Sequence, residues 1–253
     1  MSLWFYECKA FTRRILRNAS DLFPRSSKPS KNHRVRFLSQ LDIDVVFDVG
    51  ANNGQYARQI QSDGYRKRIV SFEPLTSAFA KLRANARGNR QWQIANIALG
   101  DDDTTDHINI SGNSQSSSLL SISPQLTDAA PGLAYIATEE IEVRRVDSVI
   151  DDYCNSSNRL FLKLDVQGYE THVLRGAAQS LDRFLGVQLE MSTAPLYDGE
   201  GSFIETIQFM SDQGFELASL ANVWADPRTM RLMQIDGIFL RLDSVAASRA
   251  KAA

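Results

Sequence analysis

Apolar positions along this chain follow two rhythms. Short runs, VVFDV (45–49), RIVSF (68–72), WQIANIAL (92–99), LFLKLD (160–165) and LGVQLEM (185–191), have the length and β-branched content of strands buried on both faces. Between them, apolar residues recur at helical spacing. Residues 53–62 put Tyr56 and Ile60 on one face, 76–86 follow the turn at Pro74, 169–181 turn Val173, Leu174, Ala177 and Leu181 inward, and 202–213 form a further helix. FELASL (215–220) and GIFLRL (237–242) close the pattern as strands, with a hairpin between them around Asp226–Pro227. Strands alternating with amphipathic helices predict an α/β fold, a parallel sheet covered on both faces. Residues 100–138 interrupt the alternation. SGNSQSSSLLSIS holds seven serines in thirteen residues and reads as an inserted hairpin and loop, the kind of excursion that serves as a lid or binding loop.

The first forty residues are different. Trp4, Cys8, Phe11 and Ile15 form one stripe of a helix over 3–17, with Lys9, Arg13, Arg14 and Arg17 off it. SDLFPRSSKPSKN (20–32) reads as a linker. The expected organisation is a basic helix and linker over 1–40, a main domain over 41–245 and a tail over 246–253. Net charge is −2, yet residues 1–40 carry +7, which leaves −9 for the rest. An acidic body speaks against a general nucleic-acid binder; the head, residues 1–20 above all, suits contact with an anionic membrane surface. Cys8 and Cys154 make neither a disulfide framework nor a zinc set, which fits a reducing compartment. No run approaches the ~20 apolar residues of a membrane span, and the N-terminus shows no export signal. The expectation is a cytoplasmic protein, peripheral at the inner membrane face if the head binds lipid. Oligomeric state is not legible.

VVFDVGANNGQY (45–56) carries the first chemistry. A strand runs into Asp48 and then into small residues, Gly50, Ala51, Asn52 and Gly54. Ligands of open α/β sheets bind outside the carboxyl ends of strands, and a helix beginning near Asn53 would aim free N–H groups there. Glu73 ends the second strand, where a carboxylate can accept from both ribose hydroxyls of a nucleoside. The loop departs from G-x-G-x-x-G at Asn52 and Gln55, and no lysine follows as in a phosphate loop. The combination resembles the loop of S-adenosylmethionine-dependent methyltransferases.

DVGANNGQY, FEP, ALGD, the serine loop ending SSL, and LKLDVQGYETHVLRGA occur in the order seen in FkbM-type methyltransferases, from about Val45 to Leu242. This resemblance implies a Rossmann-like class I methyltransferase fold, a seven-stranded, mostly parallel sheet with its last strand antiparallel. It implies S-adenosylmethionine as cofactor and transfer to a hydroxyl of a sugar or natural product. Expected cofactor contacts are Asp48, Gly50, Ala51, Asn52, Gly54 and Glu73, with Asn96, Ala98 and Leu99 beside the adenine and Ser118 reaching in from the serine loop.

An attacking alcohol must lose its proton, so a base should stand across from the cofactor loop. Asp165 and Glu190 end strands four and five; Glu170 and His172 lie on the first turn of the next helix. Asp165 and Glu190 could instead share a magnesium ion, although two ligands do not make a site. The favoured acceptor is a lipid-linked sugar, given the basic head and the hydroxyl-rich loop; a soluble natural product is compatible too. Two alternatives remain: a cofactor-binding protein of the same fold with weak catalysis, and a nucleic-acid methyltransferase. The latter wants an Asp/Asn-Pro-Pro-aromatic motif where this chain reads Asp165-Val166-Gln167-Gly168.

Overall fold

The computed structural model describes residues 33–241, apart from Asn113 and Pro227. The chain divides into two units, residues 1–33 and 34–253. The expected helix over 3–17, the linker over 20–32 and the tail over 246–253 lie outside the described residues. The chain enters through α1 (His33–Gln40), whose Val35, Phe37 and Leu38 are buried. Residues 33–40, grouped with the head and linker in the expected organisation, form this helix, and from Arg34 on they fall in the larger unit.

Strands β1 (Val45–Val49), β2 (Arg68–Phe72) and β3 (Trp92–Ala95) alternate with helices α2 (Gln55–Ser62) and α3 (Thr76–Ala86). Three further strands follow: β4 (Ala98–Gly100), β5 (Thr104–Ser111) and β6 (Tyr135–Arg145), with the short helix α4 (Pro124–Ala129) between the last two. The second half contains α5 (Val146–Tyr153), β7 (Leu160–Leu164), α6 (Glu170–Arg175), β8 (Phe184–Ser192), α7 (Phe203–Asp212), β9 (Glu216–Ala225) and β10 (Leu232–Leu240). The main sheet has seven strands in the order β3-β2-β1-β7-β8-β10-β9. Its last strand, β10, runs antiparallel to both neighbours, as expected. β1 and β7 lie mid-sheet with every residue buried, which is why each is apolar but for one charge, Asp48 in β1 and Lys163 in β7. Phe47, Phe72, Tyr153 and Phe184 pack at ring separations of 5.4–6.1 Å in one core beneath them.

Two expectations need correction. The third strand does not run through 92–99. It leaves the main sheet at Ala95, and Ala98–Gly100 joins a separate three-stranded sheet, β4-β6-β5. The Asn96 amide holds this fork, donating to the carbonyls of Glu73 and Pro74 at 2.9 and 2.8 Å. The helix expected over 169–181 ends at Arg175. Gly176 lies so near β4 that a Cβ would fall 1.8 Å from the Gly100 carbonyl oxygen, and the chain goes on in turns. In the insertion β5 pairs antiparallel with β6, but the two are joined by residues 112–134, which hold α4, rather than by a hairpin turn; strand β6 and helix α5 were not read from the sequence. Among the described residues no helix is long and apolar enough to cross a membrane.

Register sets where chemistry can occur. Val49 pairs with Phe72 on one side and Leu164 on the other; Phe72 pairs with Ala95, and Leu164 with Leu189. The next residues, Gly50, Glu73, Asn96, Asp165 and Glu190, thus line up along one carboxyl edge.

Candidate active site

A cleft opens at that edge. Gly50, Asn52, Glu73, Pro74 and Leu75 form one side, and Asp165, Val166, Gln167 and Tyr169 another. Ile97, Ala98 and Leu99 supply an apolar wall, and the serine loop contributes Gln115, Ser117 and Leu119. The insertion is therefore part of the cleft. Of the expected cofactor residues, Gly50, Asn52, Glu73, Ala98 and Leu99 face it.

Asp48, Ala51, Gly54, Asn96 and Ser118 do not line the cleft. They build its frame. Asp48 has no exposed surface; it accepts from Ser71 Oγ at 3.0 Å, and its other oxygen lies 3.1 Å from Lys163 Nζ. That second contact is an ion pair rather than an aligned hydrogen bond. Ala51 N–H donates to the Phe72 carbonyl. Ser118 Oγ donates to the Gln167 carbonyl at 2.7 Å and so ties the serine loop to the turn after β7.

The small residues of the first loop also have a reason other than a ligand. Gly50 has φ +73°, and a Cβ there would sit 1.9 Å from the Asp165 carbonyl oxygen. Gly54 has φ +84°, and its Cβ would meet the Trp92 ring at 2.6 Å. What presses on this backbone is first the protein itself.

Glu73 is buried but opens on the cleft. Its Oε2 accepts the Asn52 N–H at 2.8 Å and its Oε1 the Leu75 N–H at 2.9 Å. Burial raises its pKa to about 7 against the pull of these two donors. A carboxylate at the mouth of an apolar slot, with lone pairs left on both oxygens, fits the ribose of an adenine nucleoside with the base against Ile97 and Leu99.

The four expected catalytic residues separate. Asp165 faces the cleft with its side chain 44% exposed, and Lys163 Nζ lies 3.5 Å from its Oδ2. Glu190 is buried behind it and accepts from Gln167 Nε2 at 3.1 Å and Gln234 Nε2 at 2.8 Å. Its pKa stands well above the usual carboxylate range, through burial first and the charge of Asp165 second. Glu170 does not line the cleft; it accepts the Val166 N–H at 2.9 Å and fixes the turn, with its pKa raised to about 7 by burial. His172 does not line the cleft either. It stacks flat on Tyr169 at 4.0 Å, with Nδ1 buried and unpartnered and its pKa lowered by burial. Between Asp165 and Glu190 lies the Gln167 amide, which donates to both, where the magnesium alternative would put a cation. Among the described residues no three acids, histidines or cysteines are grouped so as to hold a metal ion.

Sequence reasoning missed Lys163 and Gln167. Lys163 is almost fully buried, lies 5.4 Å over the Tyr56 ring and approaches the Val49 and Gly50 carbonyls at 3.4 Å. Burial alone would lower its pKa; Asp48 and Asp165 outweigh that and raise it. A single charge inside LFLKL was the available signal, since a charge in a strand buried on both faces must be paired.

The chain is 24% identical to the 2-O-methyltransferase NoeI of Sinorhizobium fredii (strain NBRC 101917 / NGR234), over 70% of this chain and 74% of that one. It is also 24% identical to Methyltransferase 1 of Beauveria bassiana (strain ARSEF 2860), over 77% and 81%. Among solved structures, an rRNA methylase from Streptococcus thermophilus aligns over 85% of this chain and 98% of its own, at 12% identity and a TM-score of 0.46. The model of the methyltransferase FkbM domain matches residues 48–217, about two-thirds of the sequence, and the chain belongs to that family of S-adenosylmethionine-dependent methyltransferases.

Proposed function

We propose that the protein methylates a hydroxyl group of a sugar, carried on a glycolipid or a glycosylated natural product. The observation that carries this is the placement of Asp165, a partly exposed carboxylate at the cleft edge, across the sheet from Glu73. The 2-O-methyltransferase name of one relative supports an oxygen acceptor. The lipid-linked form rests on the basic residues of the first forty and on the serine loop at the cleft.

S-adenosylmethionine, when bound, supplies a methyl group on a sulfonium, already activated for displacement. Glu73 would hold its ribose, and Ile97 and Leu99 would flank its adenine. The rest falls to this chain. The hydroxyl must be aimed at the methyl carbon, and its proton must leave as the oxygen–carbon bond forms; the pair of the breaking carbon–sulfur bond stays on sulfur. Asp165 accepts that proton. Orientation in the cleft and the positioned base are the two sources of rate.

The test uses methyl hexopyranosides and their dodecyl counterparts as acceptors, with calorimetry of S-adenosylhomocysteine binding alongside. Transfer to a glycoside hydroxyl is expected, and Asp165→Asn should lower turnover by roughly 10²–10⁴ with binding unchanged. Preference for dodecyl glycosides supports the lipid-linked form. Tight binding without transfer to any glycoside would refute the sugar assignment and favour the catalytically weak alternative.

A further inference from the structure

Gln167 stands at a crossing that no expected role explains. Its backbone is left-handed (φ 55°), a conformation unfavourable for a residue with a Cβ, and Gly168 continues it at φ 93°. A Cβ on Gly168 would strike the Tyr197 ring at 2.7 Å, so the turn is pressed against that ring. Every polar group of the Gln167 side chain is engaged. Nε2 donates to Asp165 Oδ1 at 3.0 Å and to Glu190 Oε2 at 3.1 Å, while Oε1 accepts from Tyr197 Oη at 2.8 Å. The amide cannot flip without setting its oxygen against two carboxyl groups. The backbone carbonyl is held as well, by Ser118 Oγ.

Asp165 is thus gripped from two sides, by Lys163 at one oxygen and Gln167 at the other. Remove the amide, and Asp165 and Glu190 face each other without a donor between them. Glu190 is buried and keeps Gln234; Asp165 is partly exposed and open to the cleft. It is Asp165 that would swing away.

We propose that Gln167 is a positioning residue for methyl transfer: its amide, fixed by Tyr197, bridges Asp165 to Glu190 and holds the Asp165 carboxylate in the cleft. This rests on the reading of Asp165 as the base. A misplacement of about 1 Å can cost on the order of 10²-fold in rate.

The test takes crystal structures of the wild-type protein, Gln167→Leu and Gln167→Glu, each with S-adenosylhomocysteine. All three residues meet the same left-handed backbone, and Glu keeps the shape of Gln should Leu fail to fold. In both variants the Asp165 carboxylate should move by more than about 1 Å while Glu73 stays in place. An unmoved Asp165 in a folded variant overturns the proposal, whatever the acceptor. Kinetics with a glycoside whose hydroxyl the protein methylates add a double-mutant cycle. Gln167→Leu should lower kcat by about 10–100-fold, leave S-adenosylhomocysteine affinity within about two-fold, and have no further effect on Asp165→Asn. An equal loss in the Asp165→Asn background would overturn positioning, because Gln167 would then act without Asp165. If Asp165→Asn is itself fully active, the base assignment fails, and the crystal structures still decide whether Gln167 holds Asp165.

Discussion

Glu73 ties the affinity of the protein for its cofactor to pH. In the unliganded protein its pKa is about 7, raised by burial, and it accepts N–H groups from Asn52 and Leu75. Ribose hydroxyls are donors toward an ionised carboxylate, so binding draws on the ionised form. That form is about one-tenth of the population at pH 6 and about nine-tenths at pH 8, from the raised value. S-adenosylhomocysteine should therefore bind about ten-fold more tightly at pH 8 than at pH 6, a difference of ~1.4 kcal/mol. At pH 7, binding should release about half a proton, readable by calorimetry in buffers of different ionisation enthalpy. Glu73→Gln keeps the shape and removes the titration. It should bind more weakly at pH 8 and lose the ten-fold trend, while any contribution from the ligand or from Glu170 persists. The sign for stability is opposite. Glu73 and Glu170 hold protons in the folded chain that the unfolded chain has released, so unliganded stability should fall as pH rises from 4.5 to about 7. A wild-type affinity flat from pH 6 to 8, or the same slope in Glu73→Gln, would refute the placement of the ribose on Glu73.

Two perturbations test the frame. Gly50→Ala and Gly88→Ala both put a Cβ on a left-handed backbone, but only Gly50 has a carbonyl in the way. Urea unfolding should show a loss of about 1–2 kcal/mol for Gly88→Ala, and a loss beyond about 4 kcal/mol or no soluble protein for Gly50→Ala. Lys163→Met leaves the fully buried Asp48 without its counter-charge and should cost about 3–5 kcal/mol in the same assay; adding Asp48→Asn should recover part of that.

The legible parts of this fold are those in which one residue suffices to announce its environment. β1, β2 and α3 lie within the bounds read from the sequence, because the two faces of a buried strand and the stripe of a helix are local properties. Glu73 and Asp165 were legible as acids at the ends of such strands. The small sheet was not. β6 carries Glu140 and Glu142 on exposed surface and Glu139 half-buried, and its partner β4 has three residues and pairs in parallel with positions 45 further along the chain. Val146, Val149 and Ile150 of α5 did carry a helical signal that went unread. The glycines of the first loop were read as space for a ligand. The sequence could not reveal that Trp92 and the Asp165 carbonyl fill much of that space. Gln167 was least legible, since its role comes from partners at 118, 165, 190 and 197.

Backbone strain points to the same two places. Asn52 and Gln167 are left-handed without being glycine, and both line the cleft; Asp42 and Met230, the other such described residues, lie in the turns before β1 and before β10. Glycine would remove a cost of about 1–2 kcal/mol at each position. It would also remove the side chain. Asn52 Oδ1 accepts the Asn53 N–H at 2.8 Å at the entry to α2, and Gln167 holds two carboxyl groups and a phenol in one arrangement. Side chains kept at a backbone cost mark where local structure serves the cleft. One belongs to the loop beside Glu73, the other to the turn beside Asp165. A nucleoside would be held at the first and a proton removed at the second, and the register of β1 with its two neighbours sets both on one edge.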